Sequence, residues 1–201
     1  MLYPLSCRCG AVRGTVETAA PHERIVCYCA DCQAYAHLLG RPAEDLDARG
    51  GTHALLTVPR AIRIETGAER LACVRMTGRG PIRWYAACCD TPVANTGPVM
   101  EAAYASLLGP VLGGAGPALD AAFGPARLFG FVHNARGEPK PPRTPFLGVY
   151  LRVVARSLRA RFDGSYRRTP FFDPATGRPR AEPRRLAPEE RARLVAAAAQ
   201  G

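Results

Sequence analysis

Seven of the eight cysteines in this chain of 201 residues stand in three tight clusters. Cys7 pairs with Cys9 in "CRCG", Cys27, Cys29 and Cys32 share "CYCADC", and Cys88 adjoins Cys89 in "CCDTP". Few features constrain a fold more, because thiols gathered on one ion tie distant chain segments together. In an extended strand, residues two apart face the same way. Cys7 and Cys9 can therefore present both sulfurs to one ion, as can Cys27 and Cys29. The C-x-x-C from Cys29 to Cys32 suits a turn that wraps a metal with two thiolates, and Zn²⁺ takes such soft sulfur ligands readily. A dithiol redox switch is the rival reading of C-x-x-C.

The chain does not need its cysteines for want of hydrophobic residues, since 47% of it is apolar. The first twenty residues hold no basic start leading into a continuous apolar core, so no export signal is read and a cytoplasmic setting is expected. In that setting thiols stay reduced, and metal binding is favoured over disulfides. Cys73 alone stands apart, in the alternating run "RLACVRM", and reads as a buried strand residue. The net charge of +10 is almost all arginine, with Lys140 the single lysine. It leaves a nucleic-acid partner open without pointing to one. The Gly- and Pro-broken stretch from Tyr104 to Phe123 is no membrane helix, and no membrane partner is expected.

Residues 1–96 read as a β domain of about six strands. The runs are "YPLSCRCGAVRGTVE", "ERIVCYC", "HALLTVPRAIRIETG", "ERLACVRMTG" and "PIRWYAACC", punctuated at Gly67 and Gly78. Residues 97–201 read as an extension: short helices to about residue 125, one possible strand in "ARLFGFVHN", a linker, then a helix. In that helix Phe146, Tyr150, Val154, Leu158 and Phe162 recur every four residues, while Arg152, Arg156, Arg159 and Arg161 take other faces. The pattern predicts an amphipathic helix with its apolar stripe against the domain and a basic outside. A last helix is expected from Pro188, with Glu189 and Glu190 at its N-terminal end.

Taken together, "CRCGAV", "CYCADC" and "CDTP" resemble the glutathione-dependent formaldehyde-activating enzyme and centromere-protein-V family over about residues 5–95. The resemblance implies an Mss4-like zinc-binding β fold, mainly β, with an α-containing C-terminal extension here. It implies Cys7, Cys9 and Cys89 in a structural zinc site. It also implies Cys27, Cys29 and Cys32 at a catalytic zinc with one position open for a thiol such as glutathione. An aldehyde would then be the second substrate and the activity that of a carbon–sulfur lyase. Three positions depart from the family pattern. Tyr28 stands where the family has His, Asp90 stands for Gly, and Ala86 takes the place of the first late cysteine while Cys88 appears beside Cys89. Either the backbone kinks so that Cys88 joins Cys89, or Cys88 faces elsewhere, or another residue completes the site. His37, five residues after Cys32, is a further candidate as ligand or proton carrier. Trp84 and Tyr85 read as core, and Arg83 as a surface charge or a carboxylate partner. The competing function is a non-catalytic, zinc-stabilised binding module using its basic C-terminal half. The oligomeric state is not legible.

Overall fold

The computed structural model describes residues 1–114 and 116–200. Its first elements are the strands β1 (Leu2–Ser6), β2 (Arg13–Glu17) and β3 (His22–Cys27). The helices α1 (Ala30–Leu38) and α2 (Pro42–Asp45) follow. Then come β4 (Thr52–Thr57), β5 (Ile62–Thr66), β6 (Leu71–Arg75), β7 (Ile82–Ala86) and β8 (Thr91–Thr96). After residue 96 lie β9 (Ala105–Leu108), α3 (Pro117–Phe123), β10 (Leu128–Gly130), α4 (Leu147–Phe162), β11 (Arg184–Arg185) and α5 (Pro188–Gln200). The fold is mainly β, with helices concentrated towards the C-terminus.

Two sheets form. The small one runs β1-β2-β5, and the large one β10-β3-β4-β9-β8-β7-β6-β11. Strand alternation assigns their faces. Leu55, Cys73, Trp84 and Leu107 point into one core shared with Leu5, Val12, Val16 and Ile62 of the small sheet. Their neighbours Ala54, Val74, Tyr85 and Leu108 point the opposite way, where Ala34 and Tyr35 of α1, Leu39 at its C-terminal cap, and Leu194 and Val195 of α5 cover them. The large sheet is thus sandwiched between the small sheet and the α1–α5 layer. Cys73 is buried at 2% exposure, as its alternating context predicts. Backbones come closest at Gly14, where a Cβ would sit 2.0 Å from the Arg63 carbonyl oxygen, so β2 can pair with β5 only as glycine there.

The expected division at residue 96 does not coincide with a break in the structure. β9 lies between β4 and β8, pairing Leu55 with Leu107 on one side and Ala94 with Leu107 on the other. β10 extends the sheet beyond β3 and β11 beyond β6. Phe171 and Phe172 pack on Trp84, with Phe171 fully buried and its ring 5.3 Å from the indole. The buried Arg24 of β3 holds α3 through Asp120 at 3.0 Å and the Gly124 carbonyl at 2.9 Å. Residues after 96 therefore complete the sheet and its core. β9 escaped the sequence reading because "ASLL" is four residues long and buried on both faces, which leaves no alternation to detect.

Helix α4 forms where its periodicity predicts, but the face it buries is not the predicted one. Val149 and Ala160 are buried and Val153 half-buried, while Tyr150, Leu158 and Phe162 of the expected inner stripe are exposed. Polar anchors hold the helix instead. Arg152 and Arg156 both pair with Glu23 of β3, at 2.7 and 3.2 Å, and the Ser157 hydroxyl donates to the Ala102 carbonyl.

Candidate metal centres

The clustered thiols gather into two groups in space: Cys7, Cys9, Cys88 and Cys89, and separately Cys27, Cys29 and Cys32. Within each group the sulfur atoms all lie within 4.8 Å of one another, and either group could hold a metal ion.

The four-cysteine group joins two turns. After β1 the chain reverses through Cys7–Gly10, closed by the Gly10 amide donating to the Cys7 carbonyl at 2.9 Å, with Gly10 at φ 73°. The second turn is the hairpin between β7 and β8. Cys88 and Cys89 sit in this turn and not in a strand, so the rule that adjacent residues face opposite ways does not govern them. Asp90 takes φ 52°, the left-handed region that a glycine would ordinarily supply and that Asp tolerates better than most residues. Of the three alternatives for Cys88, the kinked backbone is the one adopted. Sulfur separations are 3.6 Å for Cys7–Cys9, 3.4 Å for Cys9–Cys88, and 3.9 Å for both Cys7–Cys88 and Cys88–Cys89. A tetrahedron with metal–sulfur bonds of about 2.3 Å has edges of about 3.8 Å, so the set is already near that shape.

Neighbouring donors favour thiolate at Cys89, whereas burial and then hydrogen bonds with the surrounding thiols push Cys88 up to about 12. The Val12 amide donates to Cys7 Sγ at 3.2 Å, and Thr91 Oγ1 lies 3.1 Å from Cys89 Sγ while accepting from the Arg8 amide at 3.0 Å. Partial burial opposes ionisation of Cys89. It is outweighed by hydrogen bonds from Thr91, the Cys9 amide and the Cys9 and Cys7 thiols, which bring the Cys89 thiol down to about 6. Arg8, between the two first ligands, ties the site to α2 through Asp45 and Glu44, the latter at 3.0 Å.

The three-cysteine group bridges β3 and α1. Cys27 ends β3, flanked in the sheet by Thr52 and Gly130. Cys29 is the N-cap of α1, its sulfur accepting the Cys32 amide at 3.4 Å, so the positive end of the helix faces the thiols. Strand alternation turns Tyr28 away from the sulfurs, into a cluster with Val26 and Ala135. Tyr28 is thus a core side chain.

Hydrogen bonds from Cys27, then Cys29, hold the buried Cys32 thiol well below the ordinary thiol range, with help from Arg83. The hydrogen bonds Cys27 shares with Cys29 and Cys32, and then its burial, push it far up. Of the three thiols, Cys32 is the one whose surroundings most favour the thiolate. Its counter-ion is Arg83 of β7, itself only 4% exposed. Arg83 donates to Cys32 Sγ at 3.6 Å and to Asn95 Oδ1 at 3.4 Å, and its guanidinium lies 5.4 Å from the Tyr35 ring centre. The expectation of a surface arginine missed this, because β7 carries Arg83 on the face that α1 covers.

His37 lies on α1 five residues beyond Cys32, turned by about 140° at 100° per residue. It shares the wall of a cavity of about 510 Å³ with Leu46, Asp47 and Arg136, and it is not among the thiols that converge. Burial and then the Arg136 charge push its pKa down, and its Nε2 is buried without a partner among the described residues. A second cavity, of about 390 Å³, opens between α1 and α5, with Ala30, Gln33 and Arg136 in its wall. Ala30 and Gln33 are the sequence neighbours of Cys29 and Cys32.

No curated protein matches the chain. Among solved structures, the crystal structure of a Rhodobacter sphaeroides protein is similar to it with 20% sequence identity and a TM-score of 0.39, over 57% of this chain and 92% of that one. A protein-family match extends over residues 1–182, from β1 past the last cysteine of both clusters and on to the strip before β11. On that match the chain belongs to DUF6151, a family of unknown function.

Proposed function

We propose that this chain is a two-zinc protein of the kind its cysteine motifs resemble, the glutathione-dependent formaldehyde-activating enzyme and centromere-protein-V family, with an Mss4-like scaffold. In this reading Cys7, Cys9, Cys88 and Cys89 hold a structural zinc, and Cys27, Cys29 and Cys32 hold a second zinc at which a small thiol meets an aldehyde. The observation that carries the proposal is the inequality of the two groups: four thiols converge in one and three in the other. A four-thiolate zinc is saturated, whereas three protein ligands leave a position for an exogenous donor.

Zinc at the second site would supply one thing, a thiol kept as thiolate at neutral pH. The residues around it do the rest. Arg83 offsets one negative charge, so three thiolates, a divalent ion and the guanidinium sum to neutrality, and an incoming anionic thiol meets no excess negative charge. The cavity between α1 and α5, walled by Ala30 and Gln33 but by none of the three cysteines, has the volume for a small thiol, and Arg136 in its wall offers a cation for a carboxylate. The reaction adds a thiol S–H across an aldehyde C=O. A carbon–sulfur bond forms, the thiol proton ends on the oxygen, and no oxidant is consumed.

The competing reading, a binding module with a free basic C-terminal half, fits less well with β9, β10 and β11 being strands of the main sheet. The test is cobalt-substituted protein titrated with glutathione and followed by its sulfur-to-metal absorption, alongside formaldehyde consumption in the presence of the thiol. A spectral change that is absent in Cys29→Ser, together with thiol-dependent consumption, supports the proposal. A spectrum indifferent to glutathione, cysteine and other small thiols refutes the open position.

A further inference from the structure

Helix α4 turns its most apolar face to solvent. At 100° per residue, Tyr150, Val154, Leu147, Leu158, Leu151 and Phe162 fall within an arc of about 120°. Five of the six are exposed: Leu147 at 70%, Tyr150 at 64%, Leu151 at 57%, Leu158 at 50% and Phe162 at 91%. Single exposed apolar residues are ordinary, but a continuous strip about 24 Å long is not. The strip continues at its N-terminal end. Phe131, 58% exposed, lines a cleft with Phe146 and Arg143 and is held at φ 57°, a backbone region that a bulky aromatic rarely takes.

Charge indicates what covers this face. Residues 143–168 contain seven arginines and one carboxylate, Asp163. Arg161 lies inside the arc and Arg159 about 60° beyond its Phe162 edge, while Arg152, further round, is already paired with Glu23. The helix itself carries no acidic residue, so two copies packed through this face would bring arginine against arginine. The apolar strip is equally ill-suited to a bare polyanion such as nucleic acid, which would leave Leu158 and Phe162 in water. An outward apolar helix face with Arg161 within it and Arg159 on one flank matches an anionic bilayer surface, with the apolar side chains at the acyl boundary and the guanidinium groups among the headgroup phosphates.

We propose that α4 is an interfacial docking helix that seats the protein on anionic phospholipid membranes. No helix among the described residues is long and apolar enough to cross a membrane, so the contact is peripheral, with the helix axis in the membrane plane. The periodicity predicts an apolar stripe packed against the domain, and the structure turns most of it outward. The site is separate from both cysteine groups and does not depend on their chemistry.

The experiment is vesicle flotation of the whole, metal-replete protein with phosphatidylcholine alone and with phosphatidylcholine containing phosphatidylserine. The wild type should float with the anionic vesicles, stay behind with the neutral ones, and be released by salt. Leu158→Ser with Phe162→Ser should weaken partitioning about tenfold or more. Arg159→Gln and Arg161→Gln should each weaken it about fivefold. Both residues of the apolar pair are exposed, so circular dichroism, melting midpoint and metal content should stay unchanged. The proposal is overturned if the wild type fails to float at low salt, or if binding ignores the apolar pair. It is equally overturned if that pair converts a wild-type dimer to monomer while no vesicles are bound.

Discussion

Removing Cys32 should destabilise the protein by stranding Arg83. The guanidinium is 4% exposed, lies 3.6 Å from Cys32 Sγ and otherwise contacts Asn95 Oδ1 at 3.4 Å and the Tyr35 ring. Its Nε has no partner among the described residues, so little else compensates the charge. At 3.6 Å and an effective dielectric of about 20, a thiolate and a guanidinium attract by about 4.6 kcal/mol. Desolvation of the pair offsets part of that, leaving a net coupling of about 2–3 kcal/mol. Cys32→Ser keeps the shape but loses the charge, and should lower stability by about 3–5 kcal/mol, as expected when a buried cation loses its partner. Adding Arg83→Met to Cys32→Ser should restore about 2–3 kcal/mol of that loss, since methionine fills the space without a charge. Urea unfolding under reducing conditions measures both. The informative comparison is between Cys32→Ser and the double variant, because both lack the complete three-thiol set and differ only at Arg83. If the double variant is no more stable than Cys32→Ser, the ion-pair account of this site is refuted.

Cys9→Ser should lower the melting midpoint more than Cys27→Ser. A metal held by the four-cysteine group would tie Cys9 to Cys88, 79 residues away, and closing such a loop restricts the unfolded chain by about 4–5 kcal/mol, whereas a metal on Cys27 would close only a local one. Equal losses in differential scanning calorimetry would contradict that division. A chain ending at residue 96 should fail to fold, and Phe171→Ala in the full chain should cost about 3–5 kcal/mol, because β9 and Phe171 complete the sheet and its core. A dispersed amide spectrum from the shortened chain would count against this. Burial pushes the Asp45 carboxyl up to about 6 against the pull of Arg8, so the folded state holds its proton more tightly than the unfolded chain does. Wild type should therefore lose stability relative to Asp45→Asn as pH rises from about 4 to about 6, and parallel pH–stability curves for the two proteins would remove the effect.

What could be read from sequence was what a local signal encodes. Thiol spacing showed which cysteines gather, although Cys7 and Cys9 meet in the turn after β1, and Cys29 meets Cys27 from the N-cap of α1, rather than along a strand face. Periodicity placed α4 and α5, and alternation placed Cys73 in a buried strand. Three things escaped because they are set by tertiary neighbours. The convergence of Cys88 with Cys89 depends on a left-handed Asp90 in a hairpin turn, which a strand rule applied to "AACCDTP" does not foresee. The burial of Arg83 depends on which face of β7 receives α1. The outward face of α4 depends on Glu23 and Ala102, polar anchors far away in sequence that outweigh the apolar stripe in orienting the helix. His37 illustrates the same limit. Proximity to Cys32 in sequence made it a candidate, but 3.6 residues per turn carries it round to the Arg136 side.

The most direct test of the account is the metal content of protein purified under reducing conditions without chelator, compared with Cys29→Ser and Cys9→Ser. Native mass spectrometry with elemental analysis should find about two zinc ions per chain in the wild type. About one should remain in Cys29→Ser, with the fold intact, and Cys9→Ser should lose both metal and stability. Metal-free wild-type protein with free thiols and an unchanged melting midpoint would contradict it.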